Sequence, residues 1–171
     1  MPTDLLENVL TRIQQAATYN SFPDWYITEL CTHDDVWSSD IIVNATDLDN
    51  PEKKKLQPFK MIRVWHRRPD NRWIFGGGWR HHPNVTTEMM ESHAIEMSLK
   101  CWIMGIPHGG AKGGIAFDPQ KYTRDDHIAI ICKAVDKAVE RNKLGPAVDR
   151  WAPDVNTNPT IMKWIQDHYA Y

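Results

Sequence analysis

No apolar run in the 171 residues approaches the ~18 positions of a membrane-spanning helix, so no transmembrane segment is expected. The first residues, MPTDLLENVL, are acidic and amphipathic, which is not the basic-then-apolar order of a signal peptide. Cysteine is scarce: Cys31, Cys101 and Cys132 are odd in number and widely spaced, a usage expected of reduced thiols in a cytoplasmic protein. Cys101 and Cys132 also fall on apolar helical stripes, where a thiol behaves as a small hydrophobe. No run of like charge exceeds Lys53–Lys55, and the formal net charge is −2, so neither nucleic acid nor a membrane surface is an expected partner.

Nucleotide signatures are missing as well. The phosphate-loop pattern requires Ser or Thr after its lysine, whereas Lys112 is followed by Gly113. The dinucleotide pattern G-x-G-x-x-G fails at both glycine clusters: Gly76 and Gly78 meet His81 at the third position, and Gly109 meets Ala111 at the second. His81, His82 and His108 match no zinc spacing and no cysteine joins them, so no metal is expected.

What is present is the composition of one globular domain over residues 1–171, with 42% hydrophobic and 25% charged residues. The eight tryptophans imply broad apolar faces, some of them closed by a second domain or subunit. Apolar periodicity predicts a helix near the N-terminus, with Thr3 as cap and Asp4 in its first turn, and a short helix over Asp24–Leu30. Strands are predicted over Ser38–Asn44, Phe59–His66 and Trp73–Phe75. In the second of these Phe59, Met61, Arg63 and Trp65 share a face. Further helices are predicted over Thr87–Cys101, with Met90, Ala94, Met97 and Cys101 as its stripe, and from Thr123 to a stop at Gly145-Pro146. The latter has Thr123 and Asp126 as a capping-box variant and Ile128, Ile131/Cys132, Val135 and Ala138/Val139 as its core stripe. Asn158-Pro159 is a cap plus a first-turn proline, opening a final helix that carries Ile161, Trp164/Ile165 and His168 and reaches the last residues, as though the chain were cut there. The mixed order predicts an α/β fold in three layers, helices on both faces of a sheet.

Eight of the nine glycines lie between Gly76 and Gly114, and GGAKGG frames Lys112 on both sides. Glycine permits positive φ and close approach to the main chain, so the two clusters are expected to be loops at strand ends, forming two walls of a small-molecule cleft. A chemically active lysine needs burial and a nearby cation to lower its pKa, and Lys100 is the candidate cation. With Asp154 as proton carrier, the set would comprise a fixed cation, a tuned lysine and a carboxylate.

GGWRHHPNVT, SLKCWIMGIPHGGAKGGIAFDP and WAPDVNTNPTIMKWIQDHY resemble, in order and spacing, three blocks of the glutamate/leucine/phenylalanine/valine dehydrogenase family. The resemblance extends through FKMIRVWH and covers nearly the whole chain. It implies a mixed, largely parallel sheet and the family's N-terminal substrate and oligomerisation domain. A C-terminal Rossmann domain binding NAD or NADP would lie outside this chain, and the assembly would be a homo-oligomer, hexameric by resemblance. The implied reaction is reversible oxidative deamination of an L-amino acid to a 2-oxo acid. Lys112 then matches the catalytic lysine, Asp154 the proton-exchanging aspartate, Lys100 the lysine for the substrate α-carboxylate, and Gly77 and Gly78 the glycine pair lining the pocket. Gly76 stands where glutamate-specific members carry lysine, which leaves the amino acid unassigned. The alternative is an assembly or ligand-binding module without catalysis.

Overall fold

The computed structural model describes residues 3–49, 52, 54–66 and 74–171. The Thr3 and Asp4 side chains, Lys53 and Trp73 lie outside the described parts. The elements in chain order are α1 (Thr3–Asn20), α2 (Asp24–Cys31), β1 (Asp35–Thr46), β2 (Lys54–His66), β3 (Phe75–His81), α3 (Thr87–Ile103), β4 (Gly109–Ile115), α4 (Arg124–Glu140), β5 (Asp149–Pro153) and α5 (Pro159–Tyr169). A single 3₁₀ turn at Pro119–Lys121 precedes α4.

The five strands form one sheet in the order β1-β2-β4-β3-β5. β2 runs antiparallel to both β1 and β4, while β3 is parallel to β4 and β5, so every strand but β2 points the same way. The expected α/β class and mixed, largely parallel sheet are therefore present. On one face Ile41, Val43 and Ala45 of β1, Phe59 and Met61 of β2, Trp79 and Ile115 pack against Ile130, Ile131, Ala134, Val135 and Ala138 of α4 and Ile161 and Ile165 of α5. On the other, Ile62 and Val64 meet Met90 and Ala94 of α3, and α1 and α2 pack outside α3 through Val9, Ile13, Leu30 and Ile95.

Caps open α4 and α5 where the sequence predicts them, and α3 carries a cap that it does not name. Thr123 Oγ1 accepts the Asp126 N–H at 3.2 Å, and the Asp126 carboxylate accepts the Thr123 hydroxyl at 2.6 Å. Asn158 Oδ1 accepts the Ile161 N–H at 3.1 Å with Pro159 in the first turn, and Thr86 caps α3. Helix α4, however, stops at Glu140, not at Gly145: Asn142 takes positive φ (52°) two residues later, a conformation that asparagine tolerates. Its buried residues include Ile130 and Ala134 in addition to Ile131, Val135 and Ala138, while Ile128 and Cys132 are half-buried and Val139 is exposed. Because α4 lies against both the sheet and α5, its buried arc is wider than one stripe and turned from the predicted one. Along α3, Met90, Ala94 and Cys101 are buried and Met97 half-buried; Ile95 and Ser98 extend the face.

The larger correction concerns GGAKGG. It is no loop but strand β4, buried at every position between β2 and β3. No glycine of either cluster has positive φ; only Gly105 and Gly145 do among the glycines. The glycines supply room instead. A Cβ on Gly110 would lie 2.2 Å from the Ser98 nitrogen and 2.4 Å from the Ala94 carbonyl oxygen, so α3 rests directly on the strand backbone. A Cβ on Gly114 would lie 2.1 Å from the Arg80 carbonyl oxygen. Likewise Gly76–Gly78 lie within β3, and the stretch around Trp151 that the sequence leaves unassigned is strand β5.

Candidate active site

Side chains alternate across a strand, so Lys112 shares with Gly110 the face of β4 that carries α3. There its ammonium lines an open cleft of about 470 Å³ with His93, Glu96, Met97, Lys100 and Met104. Lys100, in the last turn of α3, is exposed and has no ion-pair partner among the described residues.

Lys112 is itself largely buried, and Nζ stands 3.1 Å from Asp154 Oδ2. Lys112 belongs to β4 and Asp154 follows the last residue of β5, with β3 between them, and they meet over Gly78. A Cβ at Gly78 would lie 2.8 Å from both Lys112 Nζ and Asp154 Cβ. Gly77 points to the opposite side, where a Cβ would lie 1.6 Å from the Ala111 carbonyl oxygen. Its expected place in the pocket wall is thus limited to its backbone, because alternation turns successive residues of β3 to opposite faces.

Asp154 is fixed by the loop that follows. Its N–H donates to Thr157 Oγ1 at 2.7 Å, and that hydroxyl donates to the Trp79 carbonyl at 2.7 Å. Asn156 takes φ 56° and donates from its side chain to the His81 carbonyl at 2.9 Å. Thus the run Asp154–Pro159 ties β5 to β3 and then caps α5. Arg80 Nε donates to Asp154 Oδ2 at 2.5 Å, so one carboxylate oxygen serves two cations.

Burial lowers the pKa of the Lys112 ammonium below its ordinary value; the Asp154 charge and hydrogen bond oppose this, and the Arg80 and Arg63 charges add to it. Burial alone would raise the Asp154 carboxyl, but the Arg80 hydrogen bond and the Lys112 ammonium outweigh it and hold the group below the usual carboxylate range. The cations acting on Lys112 are therefore the two arginines, not Lys100 as the sequence suggests.

Below the site, Arg63 and Asp149 form a fully buried bidentate pair, Nε to Oδ2 at 2.7 Å and Nη2 to Oδ1 at 2.6 Å. Trp65 Nε1 donates to Asp149 Oδ2 at 2.9 Å. Arg63 Nη1 donates to the Gly78 carbonyl at 2.9 Å, so this pair holds the β3 backbone under Lys112 and Asp154. Arg63, Arg80 and Asp149 were missed as site residues. The available signal was an arginine on the stripe Phe59, Met61, Arg63, Trp65, since a charge on an apolar face requires a buried partner.

The histidines are engaged otherwise. His81 Nε2 accepts from Trp79 Nε1 at 3.2 Å, and its Nδ1 lies 2.9 Å from His127 Nε2. His82 Nδ1 accepts the Asn84 N–H at 3.1 Å. Nor do the glycine amides form a phosphate cradle, since both clusters are strands within the sheet. Neither glycine cluster therefore supplies the phosphate loop of a dinucleotide site. Chemically, the arrangement offers an acid–base lysine against an ionised carboxylate, and a second, solvated ammonium on the same cleft that can hold an anionic substrate group.

The profile of the family described as Glu/Leu/Phe/Val dehydrogenase, dimerisation domain, matches residues 42–171. An NADP-specific glutamate dehydrogenase of Synechocystis is 38% identical over 115 residues, 67% of this chain and 26% of that protein. Glutamate dehydrogenase B of Halobacterium salinarum is 30% identical over 169 residues, 99% of this chain and 37% of that protein. Among solved structures, glutamate dehydrogenase from Peptoniphilus asaccharolyticus superposes with a TM-score of 0.86 at 27% identity, covering 97% of this chain and 39% of that one. The hetero-hexameric enzyme from Thermus thermophilus, in a leucine-bound form, gives 0.82 at 25% identity, covering 99% and 38%. The chain thus spans between a quarter and two fifths of the length of these relatives. With the matched region extending over most of its residues, the chain belongs to the Glu/Leu/Phe/Val dehydrogenase family and comprises that family's dimerisation domain.

Proposed function

We propose that this chain is the substrate-binding and oligomerisation half of an NAD(P)-dependent L-amino-acid dehydrogenase, glutamate-like in lineage, that interconverts an amino acid with its 2-oxo acid and ammonia. The observation that carries the reading is the 3.1 Å contact of Lys112 with Asp154 beside a cleft that Lys100 also lines. Lys100 holds the substrate α-carboxylate by a charge-assisted contact. Once loss of a hydride and a proton has turned the amino acid into its imine, Lys112 polarises a water for attack on the imine carbon and stabilises the carbinolamine that results. Asp154, kept ionised by Arg80, exchanges a proton with the amino group as ammonia enters or leaves. Gly78 leaves the space in which these groups meet, and the Gly77 backbone continues the floor. NAD or NADP, bound mainly by a further domain, would accept the hydride when present.

Assembly into a homo-oligomer is supported by exposed apolar side chains such as Trp25, Ile42, Leu56 and Ile103, which a partner surface would cover. A cytoplasmic setting is supported by the scarcity and wide spacing of Cys31, Cys101 and Cys132. The test is NAD(P)-dependent deamination by this chain joined to a dinucleotide-binding domain. Lys112→Ala is expected to lower turnover at least about 100-fold; activity equal to the parent would contradict the mechanism.

A further inference from the structure

Packed interiors leave few voids larger than a water molecule, yet α1, α2 and α3 surround an open hollow of about 420 Å³. Val9, Ile13 and Leu30 form its buried floor. The room arises on α1, where Ala16 and Ala17 present only methyl groups one turn beyond Ile13. Phe22, Tyr26 and Trp102 are its aromatic wall. Tyr26 joins the other two, its ring centroid lying 5.2 Å from that of Phe22 and 5.7 Å from that of Trp102. The charged residues on the lining are Arg12 and Glu96. Glu96 Oε2 faces the His93 imidazole at 3.1 Å. Arg12, by contrast, is exposed and has no ion-pair or hydrogen-bond partner among the described residues. Glu96, Leu99 and Ile103 of α3 also line the Lys112 cleft, so the two hollows share a wall, but Lys100 and Lys112 border the cleft alone.

We infer that this hollow is a second ligand site, separate from the Lys112 cleft, for a monocarboxylate that carries an aryl body. Its volume, its apolar lining and its few polar groups are those of a small-molecule pocket. The ring enters among Phe22, Tyr26 and Trp102, where edge-to-face contacts add to the gain from burial. The carboxylate meets the Arg12 guanidinium at the mouth, a planar fork suited to two carboxylate oxygens. An ammonium head finds the one carboxylate of the lining already turned to His93, and a neutral head leaves Arg12 unused.

The test titrates the 171-residue chain calorimetrically with 4-phenylbutanoate, 4-phenylbutylamine and 4-phenylbutanol, which share the aryl body and differ in the head group. The acid is expected to bind at one saturable site, at least about threefold more tightly than either counterpart. Arg12→Gln is expected to reduce the acid to the level of the alcohol. Ala16→Phe, which fills the hollow from α1, is expected to abolish binding of all three, and Lys112→Met to leave every isotherm unchanged. Melting curves verify that the variants fold. Equal affinity for acid and amine, or an acid preference that survives Arg12→Gln, overturns the inference. Loss of acid binding in Lys112→Met places the ligand in the cleft and overturns it as well. So does a parent chain that binds none of the three, or one whose sedimentation changes with Ala16→Phe while its isotherms do not, which gives the hollow to a second copy of the chain.

Discussion

Lys112 Nζ and Asp154 Oδ2 meet at 3.1 Å across an intervening strand, in the space that Gly78 leaves by having no side chain. A Gly78→Ala change puts a methyl within 2.8 Å of both partners. It is expected to part them and abolish substrate binding, with 1–3 kcal/mol lost in stability, about the cost of a crowded core methyl. Ligand titration together with urea denaturation of this variant checks the outcome.

Asp154 acts on Lys112 in one direction only: its charge and hydrogen bond raise the ammonium's pKa against the lowering by burial. Asp154→Asn is therefore expected to lower that pKa further. Dimethyl-lysine NMR across an alkaline titration reads the change, and an upward shift would be inconsistent with the geometry.

Beneath the site, the Arg63–Asp149 pair is fully buried. Asp149→Ala would strand the guanidinium without its carboxylate and deprive Trp65 Nε1 of its acceptor. The expected loss is about 3–5 kcal/mol, measured by chemical denaturation. Conversely, Gly76→Ala meets nothing closer than 3.8 Å and should leave stability within about 0.5 kcal/mol.

Two fully buried imidazoles set an acid limit. Burial lowers His66 to about 4, and burial plus the His127 charge lowers His81 to about 3, from 6.5. As pH falls below 6.5 the unfolded chain takes up these protons and the native chain does not, so stability declines until the folded values are reached. Each histidine contributes a slope of up to about 1.4 kcal/mol per pH unit. Urea midpoints measured from pH 7 to 4.5 are expected to fall steadily, and replacing His81 by Gln should flatten the slope.

Where local chemistry dictates structure, the sequence was a good guide. Thr123 and Asn158 announce their helices because a cap is made within three residues. Strand β4 was hidden because GGAKGGI has almost no strand propensity; it is a strand because α3, Arg63 and Arg80 occupy the volume its missing side chains vacate. That Lys112 and Asp154 belong to one set was an expectation of the sequence, whereas their ion pair and the arginines beside it were not. Arg63 and Asp149 are 86 positions apart, and only the register of β2, β4, β3 and β5 brings them together.

The most direct test is a calorimetric titration of the 171-residue chain with 2-oxoglutarate, repeated on Lys100→Met and Lys112→Met variants that melt like the parent. A single saturable site in the parent, weakened at least about tenfold by either substitution, is the predicted result. Binding that is indifferent to both lysines would contradict a shared cleft for the two ammonium groups.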